Sequence, residues 1–321
     1  MFICWSFLFF LLSFKFSFVL SAPIFYHNLV HSGIGRRESN ELSKSDLLPI
    51  TPLASWTTSP GMEGALPLDS STLIPTNVEK DLPIRFTQAP DGQESLEAYY
   101  PKGTFRLVKN SAGKVGGVSF YTPGPESVDL TKAKEATLSY TTYFPKGFDW
   151  VKGGKLPGFY GGDDPKTAVS CSGGRHSETC FSVRYMWRAG GAGELYTYTP
   201  PSAGKVNEKL CTLTPESECN PEFGNSDGRG LFTFSEGART LITMRVLLND
   251  AGKENGELQM WVNGKSLINE SGLVFCTSPN GRIDGIQIQS FFGGHTEEYA
   301  STKNQRAYFS DFTVAITKKF E

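Results

Sequence analysis

Short runs of alternating apolar and polar residues dominate the chain after about residue 81, and Gly, Pro, Asn or Asp separates them. From 242 to 248 every second residue is apolar, and 258–262 repeats this before Asn263-Gly264, a pair that is typical of a β-hairpin. No segment has the periodicity of an amphipathic helix of useful length. The pattern predicts an all-β fold, an antiparallel two-sheet sandwich of β-jelly-roll type. Further strands are expected over 136–144, 285–292 and 307–316.

The run Cys180–Arg188 predicts a strand whose two faces differ in character. Side chains of a strand alternate between its faces. One face is apolar and should belong to the core: Phe181, Val183, Tyr185 and Trp187. The other is polar and should face solvent or a groove: Ser182, Arg184, Met186 and Arg188.

A glycine-rich turn, residues 189–193, leads into a return strand that carries Glu194, Tyr196 and Tyr198 on one face. A turn centred on Gly191 predicts three cross-strand pairs: Arg184–Tyr198, Met186–Tyr196 and Arg188–Glu194. A register error of two residues would change these pairs but keep all the side chains on the same face. Spacing alone leaves three interpretations open: a catalytic site, a sugar-binding surface and an ordinary solvated sheet face.

At these residues the sequence resembles polysaccharide lyase family 14, the alginate and glucuronan lyase group. The resemblance covers most of the chain after about Asp81. It is carried by 154–162 (GKLPGFYGG), Ser182-Val-Arg184, Tyr196-Thr-Tyr198, 291–294 (FFGG) and 308–312 (YFSDF). The resemblance implies a β-jelly-roll lyase with five catalytic residues: Lys155, Ser182, Arg184, Tyr196 and Tyr198.

Lyase chemistry explains why such residues are needed. A lyase removes the C5 proton of a 4-O-linked uronic acid and expels the oxygen at C4. That proton becomes acidic enough only when a cation neutralises the adjacent carboxylate, a role that suits Arg184 with Lys155 as a second positive charge. Tyrosine suits both proton transfers, and the sequence leaves open which of Tyr196 and Tyr198 acts as base or acid. Ser182 would orient the substrate or a phenol.

Other residues are candidates for binding the substrate rather than for chemistry. They are Tyr160, Arg188, Gln287, Gln289 and His295. Each has a plain alternative, since loop histidines are usually incidental and an exposed arginine is usually only solvated. Because the protein is nearly neutral, with a net charge of −2, an acidic polymer would require a local basic groove. We expect Lys155, Arg184 and Arg188 to form its floor.

Bulk properties exclude some classes of function. The absence of a strongly basic balance argues against nucleic acid as a partner. The six cysteines and four histidines show no CxxC motif or histidine cluster that would hold zinc. The resemblance implies an acidic polysaccharide as partner, and we expect no cofactor, no obligatory metal and a monomer.

The start of the chain and the cysteines indicate a secreted protein. Residues 1–22 are typical of a signal peptide, and residues 23–80 are typical of a Ser/Thr/Pro-rich pro-segment or linker, part of which could pack as an edge strand. We expect residues 81–321 to form the β-jelly-roll lyase domain that the resemblance implies. After cleavage no membrane segment is expected, and the protein should be extracellular. Close spacing predicts two disulfides, Cys171–Cys180 and Cys211–Cys219, with Cys276 a single buried thiol. Asn269 begins the only glycosylation sequon.

Three rival functions remain from the sequence. A glycoside hydrolase needs two carboxylic acids flanking the scissile bond, and no strand carries such an acidic motif. A lectin-like, non-catalytic carbohydrate-binding protein would keep the aromatic groove but would tolerate loss of the tyrosines. A structural protein of the cell wall is the third.

Overall fold

Two antiparallel sheets pack face to face in the computed structural model, which describes residues 42–321. The predicted all-β jelly roll is therefore confirmed. One sheet has eight strands in the order β13-β12-β11-β5-β15-β3-β2, with β1 beside β15. The other has seven strands in the order β4-β14-β6-β7-β8-β10-β9. The predicted signal peptide lies outside the described residues.

The strands cover most of the described chain. Their bounds are Ala54–Thr57 (β1), Phe86–Gln88 (β2), Glu94–Tyr100 (β3), Val118–Thr122 (β4), Ala133–Tyr143 (β5), Gly153–Gly162 (β6), Cys180–Arg188 (β7), Ala192–Tyr198 (β8), Glu216–Asn220 (β9), Gly224–Thr233 (β10), Arg239–Leu247 (β11), Gly256–Val262 (β12), Lys265–Leu273 (β13), Arg282–Phe292 (β14) and Gln305–Lys319 (β15).

Helices are short and lie in the connections. The α-helices are Lys44–Leu47 (α1), Ser70–Leu73 (α2), Pro165–Ala168 (α3) and Gly204–Asn207 (α4). Single 3₁₀ turns occur at Glu126–Val128, Leu130–Lys132, Gly173–Arg175, Ala189–Gly191, Pro201–Ala203, Glu208–Thr212 and Glu297–Tyr299. Within residues 42–321, no helix has the length and apolar character needed to cross a membrane.

The core lies between the two sheets and follows from the alternation of side chains. The predicted inner face of β7 is confirmed, because Phe181, Val183, Tyr185 and Trp187 are completely buried. Trp187 lies in an aromatic cluster and meets four rings edge to face at centroid distances of 5.3–6.1 Å: Tyr100, Phe144, Phe148 and Phe292. This apolar inner layer leaves the polar side chains of the same strands on the outer face.

The segment 42–80, which lies within the stretch expected to be a linker or pro-segment, belongs to the same folded unit as the rest of the described chain. Strand β1 pairs with β15 in register Trp56–Val314, and Trp56 is buried. The Thr57 and Thr313 hydroxyls are hydrogen-bonded at 2.7 Å. The folded unit thus includes residues before the expected boundary at 80, since a strand of that segment completes a ladder. Removal of residues 1–22 or 23–80 stays a prediction.

The cysteines are placed as the sequence predicted. Cys171–Cys180 and Cys211–Cys219 are disulfides, and Cys276 is a free, buried thiol. Burial raises the pKa of Cys276 to about 12, so the thiol stays protonated and unreactive at neutral pH. Asn269 is exposed on β13, and its glycosylation stays a prediction.

A carboxylic acid is buried on the inner side of the seven-stranded sheet. Asp227 pairs with Leu195 across β10 and β8, and its side chain is completely buried. One carboxyl oxygen accepts a hydrogen bond from the Thr197 hydroxyl at 2.8 Å, and the other has no hydrogen-bond partner among the described residues. Burial raises the pKa of Asp227 to about 8, and the nearby Glu194 carboxylate adds to this rise.

We predict that Asp227→Asn will remove a decline in stability with rising pH. Between about pH 4 and 8 the unfolded chain has released this proton while the folded chain keeps it, so the free energy of unfolding falls by about 1.4 kcal/mol per pH unit. The amide cannot ionise and keeps an acceptor for Thr197. In urea unfolding from pH 5 to 9, the free energy of unfolding of the variant should therefore increase relative to that of the wild type as pH rises. Parallel curves would show that Asp227 is ionised in the fold.

Candidate active site

A cleft with a cavity of about 660 Å³ lies on the outer face of the seven-stranded sheet. Its lining comes from strands far apart in sequence, including β4, β6, β7, β8, β10 and β14. Five basic side chains line it, although the net charge of the chain is −2: Arg106, Lys155, Arg184, Arg188 and Arg229. The cleft is therefore a local basic groove in a nearly neutral protein, suited to an anionic ligand.

The hairpin β7–β8 forms part of this cleft in a register that differs from the predicted one. The observed pairs are Ser182–Tyr198, Arg184–Tyr196 and Met186–Glu194. The predicted pairing was therefore wrong by two residues, while the shared face was right. This register centres the turn on Gly190 rather than Gly191. Gly190 (φ 67°) and Gly191 (φ 81°) both adopt left-handed conformations, which glycine accommodates.

A bulge in β6 positions Arg184. The ladder of β6 with β7 shifts between Lys155 and Gly158, where Pro157 has no N–H to donate. The Leu156 carbonyl is thereby available to Arg184 Nε at 3.1 Å. Gly158 lies opposite Arg184, and a Cβ there would overlap the Val183 carbonyl. A glycine is therefore required for the close approach of the two strands.

Arg184 is held rigidly at the floor of the cleft and is 3% exposed. Its Nη2 donates to the Gln289 carbonyl at 2.9 Å and its Nη1 to Gln289 Oε1 at 3.4 Å. Burial lowers the pKa of Arg184 to about 10, so the guanidinium still carries its charge at neutral pH. Its three hydrogen bonds leave two further N–H groups for a ligand.

Lys155 lies on the same floor, and its charge is poorly stabilised. Its Nζ is 3.1 Å from the centroid of the Tyr196 ring and 3.1 Å from Met186 Sδ. Burial, together with the positive charges of Arg184 and Arg188, holds the pKa of Lys155 well below its ordinary value. Proton binding at Lys155 would therefore be favoured by an incoming anion.

The two tyrosines of β8 differ in environment. Tyr196 is 7% exposed, and its hydroxyl donates to the Phe223 carbonyl at 2.7 Å. Burial and the neighbouring Tyr198 raise the pKa of Tyr196, so its proton stays in place. Tyr198 is less buried, and its ring meets that of Tyr196 edge to face at 5.5 Å. Tyr198 also borders a second cavity of about 390 Å³, which both disulfides line.

A buried carboxylate organises the arginines at one side of the cleft. Glu194 is completely buried, and one of its oxygens accepts from Arg188 Nη2 at 2.6 Å and Nε at 2.8 Å. The other accepts from Arg229 Nε at 2.9 Å and from the Ser226 hydroxyl at 2.6 Å. The predicted contact of Arg188 with Glu194 thus occurs, although the two residues are not directly opposed. We call this cluster the Glu194 clamp: Arg188, Glu194, Ser226 and Arg229.

Gln287 and Gln289 share one face of β14 and line the cleft, as expected. The Gln287 amide donates to Gln289 Oε1 at 2.6 Å and to the Tyr121 hydroxyl at 2.9 Å. Gln289 in turn donates to the Ser119 hydroxyl at 3.0 Å. The two glutamines therefore form a rigid polar wall that also holds Arg184.

His295 lies at the exposed edge of the cleft, with its ring tilted against that of Phe223 at a centroid distance of 4.1 Å. Two other predicted residues do not reach the cleft. Ser182 is completely buried, with its hydroxyl 3.5 Å from the Cys171 carbonyl. Tyr160 packs on Tyr121 and Ala168 and is 6% exposed.

The loop between β6 and β7 explains both corrections. Strand alternation places Ser182 and Tyr160 on the same face as Arg184, but the connection between β6 and β7 covers that part of the face. Ala168 packs on Tyr160, and the Cys171 carbonyl lies against the Ser182 hydroxyl. Orientation of the substrate by Ser182 and stacking of a sugar on Tyr160, both predicted from the sequence, are therefore not supported by this geometry. Orientation of a phenol by Ser182, the other predicted role, stays a prediction.

The sequence did not single out several residues of the cleft. They are Arg106, Tyr121, Phe223, Arg229 and Tyr299. The alternation of Ser119 and Tyr121 on the outer face of β4 was a usable signal. Arg106, which lies in a loop at a φ of 54°, gave none. Among residues 42–321 no three His, Cys, Asp or Glu side chains converge to hold a metal ion.

The arrangement brings together what an acid–base reaction on an anionic sugar requires. Fixed guanidiniums can bind and neutralise a carboxylate. Phenols lie beside them, and carboxylate pairs of the kind that hydrolases use do not line the cleft: the only acidic residue among the described lining is Glu218.

Comparisons with known proteins show which family the chain resembles. The family model described as Polysaccharide lyase 14 matches residues 88–312. No curated protein matches the chain.

Solved structures also resemble the chain. The PL-14 alginate lyase from Aplysia kurodai is 26% identical, with a TM-score of 0.68, over 83% of this chain and 99% of that one. Alginate lyase vAL-1 from Chlorella virus is 26% identical, with a TM-score of 0.56, over 76% and 93%. A mutant of alginate lyase Aly36B in complex with an alginate tetrasaccharide shares the fold at 16% identity, with a TM-score of 0.52, over 73% and 84%.

Proposed function

This chain belongs to the polysaccharide lyase 14 family, and on that premise we propose that it cleaves a 4-O-linked polyuronate of the alginate or glucuronan type by β-elimination in the cleft. The observation that carries the proposal is the fixed, buried Arg184 with Lys155 and Tyr198 around one basic cavity. The alginate lyases that the chain resembles support a polyuronate as substrate.

Arg184 and Lys155 would neutralise the uronate carboxylate. The two unused N–H groups of Arg184 offer a charge-assisted contact, and the nearby ammonium of Lys155 would regain its proton when the anion binds. Removal of the C5 proton spreads negative charge onto this carboxylate, so the cations stabilise the transition state more than the ground state. Because Gln289 and Leu156 already hold Arg184, little reorganisation is needed.

The environments of the two phenols allow us to propose separate roles. Tyr196 keeps its proton in a hydrogen bond to Phe223 and supports Lys155 with its ring, which makes it a positioning residue. Tyr198 would be the group that transfers protons at C5 and at the leaving oxygen. We further propose that the protein acts as a secreted, extracellular monomer.

The test is formation of an unsaturated uronate, followed by its ultraviolet absorbance. Polymannuronate, polyguluronate and glucuronan should be incubated separately with the protein, and at least one should yield product. The matched control is the same polymer with its carboxylates reduced to alcohols, which should give none because its C5 proton is not acidic. Absence of product from every polyuronate would refute the proposal, and reducing ends without unsaturation would indicate hydrolysis.

We predict that substrate binding weakens with rising pH through loss of the Lys155 proton. The pKa of Lys155 lies well below its ordinary value in the free cleft, so the positive charge is present below that lowered pKa and is lost as pH rises through it. A carboxylate ligand favours the protonated form. The Kd of an oligouronate, measured by titration calorimetry across pH, should therefore rise in a range where an ordinary lysine is still charged.

Lys155→Arg should abolish this rise, because a guanidinium keeps its charge. Lys152 is the matched control, since it is exposed and paired with Glu298 outside the cleft. Lys152→Arg should keep the wild-type profile. An unchanged profile in Lys155→Arg would assign the pH dependence to another group.

A further inference from the structure

Gln287 lines the cleft and has a buried acceptor without a donor. Its side chain is 4% exposed, and Oε1 has no hydrogen-bond partner among the described residues. The orientation of the amide is fixed, since Nε2 donates both to Gln289 Oε1 and to the Tyr121 hydroxyl. A flipped amide would place two carbonyl oxygens against each other. Gln287 Oε1 is therefore an acceptor that awaits a donor.

Tyr121 lies beside Gln287 and has a donor without an acceptor. Its hydroxyl accepts from the Gln287 amide at 2.9 Å and from the Ser170 backbone N–H at 2.9 Å. Its own proton has no acceptor among the described residues, although the side chain is only 3% exposed. Tyr121 and Gln287 both line the cleft. The pair therefore offers an unused donor, the Tyr121 hydroxyl proton, and an unused acceptor, Gln287 Oε1, and the Gln287 amide nitrogen links the two.

The chemistry of this pair selects the ligand. A buried polar group without a partner costs about 1–3 kcal/mol, so a ligand that satisfies both groups is favoured. A carboxylate only accepts, and would meet Gln287 Oε1 with like partial charge. A hydroxyl both donates and accepts, and therefore fits the pair. In a polyuronate the groups of this kind are the secondary hydroxyls of the ring.

We propose that Tyr121 and Gln287 form a recognition site for a free sugar hydroxyl, so that the enzyme selects unmodified polyuronate over polymer carrying O-acyl groups. The site adjoins Arg184, since Gln289 Oε1 accepts from both Gln287 and Arg184. A hydroxyl of the uronate held by Arg184, or of the next sugar, is thus within its reach. An acylated oxygen has no proton to donate to Gln287. This inference rests on the proposed lyase function.

The experiment compares one polyuronate in its unmodified and O-acetylated forms. The wild type should prefer the unmodified polymer by roughly tenfold or more in kcat/KM. Tyr121→Phe and Gln287→Met should each lower kcat/KM on the unmodified polymer by about tenfold, mainly through KM, while activity on the acetylated polymer changes little. Gln287→Met is included because Tyr121→Phe leaves the Ser170 N–H without an acceptor, and melting temperatures should accompany both.

The matched control is Tyr143→Phe, on β5 of the opposite sheet, which should keep the wild-type ratio. A loss of the same factor on both polymers would mean that the pair is merely structural and would overturn the proposal. Variants that match the wild type, or a wild type that does not discriminate, would overturn it as well. No cleavage of any polyuronate by the wild type would refute the lyase function first, an outcome distinct from cleavage with an unchanged ratio.

Discussion

Tyr198→Phe is expected to lower kcat by roughly 10²–10⁴-fold with little change in KM, because a phenyl ring keeps the contact surface but cannot transfer protons. The ring would still meet Tyr196 edge to face, so the hairpin should stay folded. Initial rates of unsaturated-uronate formation, with melting temperatures, provide the measurement.

Tyr196→Phe is the matched control for this variant. Its hydroxyl is hydrogen-bonded to the Phe223 carbonyl, and its ring supports Lys155. We expect a clearly smaller loss of kcat than in Tyr198→Phe. Equal losses of kcat in the two variants would mean that both tyrosines share the proton transfers. Full activity of Tyr198→Phe would show that Tyr198 does not transfer protons.

Arg184→Ala is expected to lower kcat by roughly 10²–10³-fold, because the developing charge on the carboxylate loses its fixed partner. The variant should also be less stable, since the Leu156 and Gln289 carbonyls each lose a donor. Added guanidinium ion should restore part of kcat, an effect that a purely structural role of Arg184 would not produce.

Arg282→Ala provides the comparison for Arg184→Ala. Arg282 also donates to backbone carbonyls, those of Pro279 and Gly281, but lies outside the cleft lining. It should retain activity and show no response to guanidinium. If Arg184→Ala remains active, or if guanidinium leaves kcat unchanged at full occupancy of substrate, the assignment of Arg184 to the carboxylate is wrong.

Period-two alternation was enough to separate the faces of the β7–β8 hairpin. It placed Trp187 in the core and Arg184 with Tyr196 on the outer face, as observed. Alternation could not predict the register, because Gly190 and Gly191 can adopt several turn geometries and only the packing of the hairpin selects one. The fold class therefore followed from local sequence, whereas the cross-strand partners depended on the turn.

Alternation also cannot reveal what lies above a sheet face. Tyr160 and Ser182 are on the correct face, yet the connection between β6 and β7 covers them. The spacing of the cysteines predicted the Cys171–Cys180 disulfide in that connection, but not the direction in which the connection folds.

Residues from distant strands were the hardest to foresee. Tyr121 and Gln287 are 166 positions apart, and they meet only because β4 lies beside β14. That strand order is a property of the whole sheet rather than of any local motif. Arg229 reaches the cleft in the same way, through the pairing of β10 with β8.

The Glu194 clamp has a consequence for release of the polymer from the cleft. A polyanion facing several free cations at once would be retained by avidity, since each broken ion pair is re-formed before the chain escapes. In the clamp one carboxylate already satisfies both Arg188 and Arg229. The electrostatic attraction for the polymer is therefore stronger at Arg184 and Lys155, where the scissile sugar would bind, than at the arginines of the Glu194 clamp. We expect this grading of charge to favour departure of the shortened chain, a step that limits turnover in many enzymes.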